Sequence, residues 1–245
     1  MKKMKTKVSI ILPVMNERKS LIETLRRLFK TNSQDIYEII IMISPKSIPE
    51  SVDLCQKIKS KFPQLIKIHK QKLPYLGGAM RDAFQIVRGD YALMMASDLE
   101  TNPDTVPIMI KEIKKGNWDI VTASRWIQGG GFKGYNPAKY IANWIFQKFF
   151  SLLYGVNFTD MTYGFRLFKT SLIQNIRWEE LKHPFLLETL LKPIKLGCRI
   201  KEVPSRWQSR AEGQSSNSFW RNFQYFPIAF RVWGYKRKQI LKNNN

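Results

Sequence analysis

The chain has 245 residues, enough for one domain of ordinary size with a tail and a sizeable core. Apolar residues make up 44% and charged residues 24%, which excludes a largely disordered chain. Forty-one Lys and Arg against nineteen Asp and Glu leave a net charge of +22, so anionic partners are expected: nucleic acid, a membrane surface or phosphorylated substrates.

The start, MKKMKTKVSIILPVMNE, is basic and then apolar, like a secretory leader. Its apolar run is short, contains Pro13 and lacks a small-residue cleavage site, so it reads as a buried strand. Further strands are expected at 37–43, 65–69, 91–96 and 118–124, each nearly continuously apolar as in parallel strands covered on both faces. Between them Leu21, Ile22, Leu25, Leu28 and Phe29 repeat at helical spacing. Segments 52–62, 79–87 and 104–113 give three more helices, the last opened by Asn102-Pro103 as cap and first turn. Such alternation predicts an α/β fold with a doubly wound, mostly parallel sheet. Ligands in these sheets bind beyond the carboxyl ends of the strands.

The second half is less regular. Helices are expected at 137–154 and 184–196, and a late strand at 199–204. The run 140–158 is broken by Asn143, Gln147 and Lys148, which makes it a poor spanning helix. Tyr140, Ile141, Trp144, Ile145, Phe149, Leu152 and Leu153 fall near one helical face, expected to pack on the sheet with the tail helix packed on it; the alternative lays one or both helices in the membrane interface. The last thirty residues mix Phe219, Trp220, Phe223, Tyr225, Phe226, Phe230, Trp233 and Tyr235 with basic residues. That composition suits a helical tail lying in the membrane interface. Nothing resembling an RNA-binding motif accompanies it, so no nucleic acid partner is expected. Cys55, Cys198, His69 and His183 show neither a disulfide framework nor metal spacing.

Polar or glycine-rich residues follow four of the strands: Pro13-Val14-Met15-Asn16-Glu17, Gly77-Gly78-Ala79-Met80-Arg81, Ser97-Asp98-Leu99-Glu100, and Ser124-Arg125 with Gly129 to Gly131. Glycines at a helix start let backbone N–H groups approach an anion. Together with Asp160-Met161-Thr162-Tyr163-Gly164-Phe165-Arg166, Glu202-Val203-Pro204 and Arg210-x-x-Gly213-x-Ser215, these segments resemble the inverting glycosyltransferases of family 2, with the GT-A fold. More closely, they are similar to the polyprenyl-phosphate sugar synthases. The resemblance runs from about residue 8 to 216.

The resemblance implies transfer of a sugar from a nucleoside-diphosphate donor to a polyprenyl phosphate with inversion. Pro13, Met15, Glu17, Ser44, Gly77, Gly78, Arg81, Asp98 and Arg210 would border the donor. Asp98 ends the family's D-x-D motif and counts as catalytic. With Glu100 it would hold a divalent cation, Mg or Mn, against the diphosphate. Arg125, Lys139 and Asn143 fall where the synthases bind the lipid phosphate. An ionised phosphate acceptor needs no strong base, so catalysis rests on positioning and electrostatics. A sugar hydroxyl as acceptor, in surface-polysaccharide assembly, would need one, and Glu188 is the candidate.

Three positions depart from the pattern. Ser44 stands where an acidic pair usually ends the second strand, Ala96 replaces the first aspartate of D-x-D, and Ser216 replaces a lysine. A non-catalytic or altered-nucleotide relative with a degraded donor site is the alternative these departures keep open. The expected organisation is a GT-A domain over 1–215 and a basic aromatic tail over 216–245. A peripheral enzyme on the cytoplasmic face of the cell membrane follows.

Overall fold

The apolar runs form strands, and the amphipathic segments between them form helices that cover both faces of one sheet. The computed structural model describes residues 6–32, 34–210, 212 and 223–242. Among these, β1 (Val8–Val14), β2 (Ile36–Ile43), β3 (Ile66–Lys70), β4 (Tyr91–Met94) and β5 (Ile120–Ser124) are where the sequence puts strands, within three residues at each end. A two-stranded parallel ribbon pairs β6 (Gly131–Lys133) with β9 (Arg206–Gln208). The main sheet adds β7 (Arg166–Lys169) and β8 (Ile200–Pro204), in the order β3-β2-β1-β4-β7-β5-β8. Of these strands, β7 alone runs antiparallel to its neighbours.

Successive residues of the central strands serve opposite layers. Ile10 and Leu12 of β1 and Ile39 and Ile41 of β2 face α1 (Lys19–Asn32), α2 (Pro49–Lys61) and α4 (Val106–Ile113). Ile11 and Ile40 face α3 (Tyr75–Ile86) and α6 (Thr170–Asn175). Double coverage is why these strands are apolar throughout rather than alternating. Asn102 caps the turn before α4, its side chain accepting from the Asp104 N–H at 3.1 Å. Neither Cys55 nor Cys198 forms a disulfide.

The third layer differs from the expectation. α5 (Pro137–Leu153) does not lay its apolar face on the sheet: Ile141 is 61% exposed, Leu152 83%, and Trp144 and Ile145 are exposed as well. Its buried side is carried by Gln147 and Phe150. Phe150 packs with Leu187, Leu190 and Leu191 of α7 (Phe185–Lys195) and with Ile228, Ala229 and Val232 of α8 (Tyr225–Trp233).

The described part of the tail is therefore built into the body. Ile240 of α9 (Arg237–Ile240) enters the α3 layer, its carbonyl accepts from the Arg177 N–H, and the Lys242 N–H donates to Asn175. Gly213, Ser215, Ser216, Phe219, Trp220 and Arg221 lie outside the described residues.

Candidate active site

Three adjacent strands, β2, β1 and β4, deliver their carboxyl ends to one edge of the fold. The turn after β1 is closed on itself: Glu17 Oε2 accepts from the N–H groups of Met15 (2.6 Å) and Asn16 (3.0 Å). Pro13 is tied to the β4 side, its carbonyl accepting from the Ser97 hydroxyl. Met15 is exposed, and its carbonyl accepts from Ile48 after β2. Ser44 opens a turn fastened by Ser47, whose hydroxyl accepts from the Ser44 N–H at 3.0 Å and donates to Val14. This turn presents Lys46 to solvent where the family pattern has carboxylates.

The β4 end carries the acidic pair. Asp98 is buried, Glu100 half-buried, and Leu99 between them has φ 68°. A left-handed leucine costs roughly 1–2 kcal/mol. Such strain persists where the surroundings over-determine it, as at functional turns. Asp98 Oδ1 accepts from the Glu100 N–H at 3.0 Å. Arg210 bridges the two carboxylates, with Nη2 3.3 Å from Asp98 Oδ2 and Nε 3.2 Å from Glu100 Oε1. Burial, and next the charge of Glu100, push the Asp98 carboxyl up to about 6. One cationic group thus sits where both carboxylates converge. Two carboxylates, with ligand oxygens from a diphosphate, fit a divalent cation. Ala96 contributes no ligand, and no cluster of three metal-binding side chains occurs among the described residues.

The β5 end carries a different cation. Arg125 is buried and forks onto Asp160, Nε to Oδ2 at 2.7 Å and Nη2 to Oδ1 at 2.8 Å, while its N–H donates to the same carboxylate. Its guanidinium lies over the rings of Tyr163 (4.6 Å) and Phe132 (5.1 Å). Burial works against its charge, but Asp160 holds Arg125 above its ordinary value. Glu202 of β8 fixes this loop by accepting from the N–H groups of Thr159 and Asp160. A cavity of about 670 Å³ opens beside Arg125, walled by Trp126, Phe132, Tyr135, Tyr140 and Ile141. The indole N–H of Trp126, one of the lining residues, is buried without a hydrogen-bond partner.

Several expected residues stand elsewhere. Lys139 and Asn143 are on α5 but do not line this cavity. Asn143 instead accepts from Gln147, which also bonds the Met161 N–H and the Thr162 hydroxyl, so the helix is sewn to the 160–163 loop. Gly77 and Gly78 serve close backbone contact rather than an open anion nest. A Cβ on Gly77 would lie 2.7 Å from the Glu180 carbonyl, one on Gly78 2.7 Å from Leu73, and the Gly78 N–H already donates to Leu181. Arg81 turns to the Glu179 carbonyl at 2.9 Å. It lines a second cavity of about 290 Å³ with Asp82, Gln85, Trp178 and Lys242. Glu188 is neither on the surface nor free. It pairs with buried Lys192 at 2.6 Å and accepts from the N–H groups of Glu179 and Glu180.

The sequence reading missed Arg166 as a structural cation. Fully buried in β7, it donates to Thr122, Thr189 and the carbonyls of Leu186 and Met161. Burial pulls it down to about 10. Its only signal was its place in the Asp160–Arg166 motif.

Residues 9–177 match the model of glycosyl transferase family 2. The chain belongs to that family. It is 27% identical to a dolichol-phosphate mannosyltransferase of Pyrococcus furiosus, over 96% of this chain and 67% of that one. It is 25% identical to an undecaprenyl-phosphate mannosyltransferase of Micrococcus luteus, over 86% and 88% respectively. Among solved structures, a glucosyl-3-phosphoglycerate synthase of Mycobacterium tuberculosis, in complex with Mn²⁺, UDP and phosphoglyceric acid, superposes with TM-score 0.69. It shares 15% identity and covers 96% of this chain and 81% of its own, which establishes the GT-A fold. The expected family and fold are borne out, and the protein is a glycosyltransferase.

Proposed function

We propose that this family 2 enzyme transfers a sugar from a nucleoside diphosphate to a polyprenyl phosphate, working peripherally on the cytoplasmic face of a membrane. One observation carries the acceptor side: Tyr140 and Ile141 belong both to the wall of the Arg125 cavity and to the exposed apolar stripe of α5. A phosphate with a long hydrocarbon tail matches that continuity, its head beside Arg125 and Trp126 and its tail along Ile141, Trp144 and Ile145. A free sugar has no use for the stripe. The names of the two relatives point to the same acceptor class.

The donor belongs at the carboxyl edge of β2, β1 and β4. Asp98 and Glu100 would hold a divalent cation there, as Mn²⁺ accompanies UDP in the structural relative. When bound, it offsets charge on the departing diphosphate. Arg210 supplies a guanidinium suited to phosphate oxygens. An acceptor phosphate oxygen forms the new bond to the anomeric carbon from the face opposite the leaving diphosphate, giving inversion. The C–O bond to the nucleoside diphosphate breaks and its electron pair leaves with it. No proton has to move, because the attacking oxygen is already ionised. Glu188, held by Lys192 and two backbone donors, is not required as a base.

The test offers radiolabelled nucleoside-diphosphate sugars to the protein with undecaprenyl or dolichyl phosphate in detergent, and separately with oligosaccharides. Label entering the lipid phosphate alone, lost by about 100-fold or more in Asp98→Asn, is the expected result. Label entering a saccharide hydroxyl instead would overturn the acceptor assignment.

A further inference from the structure

We propose that Arg210 keeps the Asp98–Glu100 pair closed to a free divalent cation and yields it when a nucleoside diphosphate arrives. The inference rests on the donor-site reading above and adds an order of loading to it.

The guanidinium touches one oxygen of each carboxylate, Asp98 Oδ2 at 3.3 Å and Glu100 Oε1 at 3.2 Å. A metal ion held by this pair would draw on the same two carboxylates and meet the guanidinium charge beside them, so the two cations compete. Arg210 is also held in place from both sides. Before it, the Ser209 N–H donates to Lys133, and β9 pairs with β6. After it, Glu212 sits on the entry to α1. There its carboxylate accepts from the N–H groups of Arg18 (2.9 Å), Lys19 (3.2 Å) and Ser20 (3.1 Å) and from the Ser20 hydroxyl (2.9 Å). A pre-positioned guanidinium loses little side-chain entropy in occupying the pair.

A diphosphate changes the balance on both sides. It offers a guanidinium charge-assisted, forked hydrogen bonds that compete with the carboxylates. It also brings oxygen ligands that complete a cation's shell, which two carboxylates alone leave short. Donor arrival therefore exchanges partners, guanidinium to phosphate and cation to carboxylates. Linkage makes the coupling reciprocal: nucleotide tightens cation binding by the factor by which cation tightens nucleotide binding.

The experiment titrates Mn²⁺ into the full chain and follows free Mn²⁺ by electron paramagnetic resonance, with and without UDP, GDP, CDP or ADP. The wild type should bind Mn²⁺ weakly alone and about tenfold or more tightly with its nucleotide. Arg210→Gln should bind Mn²⁺ alone about tenfold more tightly than the wild type and lose most of the coupling. Glu212→Gln, which loosens the anchor, should shift Mn²⁺ binding in the same direction by less. A gain in affinity cannot come from misfolding, so the sign decides. Unchanged or weaker Mn²⁺ binding by Arg210→Gln without nucleotide, while nucleotide still recruits Mn²⁺ to the wild type, would overturn the exchange and leave the donor reading standing. No Mn²⁺ binding by either protein with any nucleotide would overturn both.

Discussion

Two buried ion pairs separate structural charge from chemical charge at the level of single residues. Asp160 gives both oxygens to Arg125, and the pair lies beside an aromatic cavity instead of facing open water. Asp160→Asn leaves that guanidinium buried without its counter-charge. A loss of about 3–5 kcal/mol in urea unfolding is expected. Arg125→Lys should not restore the stability, since an ammonium cannot fork onto the carboxylate or stack on Tyr163 and Phe132 in the same way. The Glu188–Lys192 pair gives the sharper functional test. Glu188→Gln removes one of the two carboxylates on buried Lys192, which keeps Glu179 at 2.8 Å, so the unfolding midpoint should fall modestly. Below that midpoint kcat for lipid-phosphate transfer should stay within a few-fold of wild type. A fall in kcat of about 100-fold or more, the range of a lost general base, with KM unchanged, would instead favour a hydroxyl acceptor.

Whole elements show what periodicity can and cannot reveal. Helical spacing picked out the apolar stripe of α5, of which Ile141, Trp144, Ile145 and Leu152 are exposed while Leu153 packs on the α7–α8 cluster. It did not say what covers that face, because the same stripe suits a sheet, a partner or a membrane. In the structure the stripe is open, and α8 adds exposed Phe230 and Trp233 from its own outer side. Lys148 lies over the Trp144 ring at 5.8 Å, the pairing of aromatic and basic groups suited to an anionic interface. Burial of one such side chain is worth about 1.5–3 kcal/mol. Ile141→Glu with Trp144→Glu should therefore weaken co-sedimentation with phosphatidylglycerol vesicles by at least about tenfold. Donor binding, which rests on the acidic pair after β4, should not change. Equal sedimentation of variant and wild type would remove α5 from the membrane contact. The strand β7 went unread for a different reason. It is four residues long and opens on a charged residue, and only its insertion between β4 and β5 makes Arg166 an interior group. The glycines after β3 read as a place where an anion meets backbone N–H groups, because sequence alone could not tell an approaching phosphate from the approaching backbone of Glu180 and Leu181.

For the molecule as a whole, the sequence puts the line between body and tail near residue 215, while residues 223–242 pack against the body. The parallel sheet, its helices and the carboxylates after β4 were legible, since each follows from local pattern plus the rule that ligands meet the strand ends. The role of the last twenty described residues was not, because their partners are far away in sequence. Ile228, Ala229 and Val232 fill a cluster with Phe150, Met161, Leu187 and Leu191, the Tyr154 hydroxyl donates to the Ala229 carbonyl, and Ile240 reaches the α3 layer. Deleting everything after residue 222 would expose both sides of these contacts. At about 1.5–3 kcal/mol for each large apolar side chain released, the loss is on the order of 5 kcal/mol or more. That is comparable to the entire stability of an ordinary domain. The truncated chain is thus expected to lose its cooperative melting transition, rather than remain a folded enzyme that merely leaves the membrane. Thermal unfolding by circular dichroism separates these outcomes. A truncation that melts cooperatively near the wild-type midpoint would show that the body over 1–215 is self-sufficient and that the tail is an appendage after all.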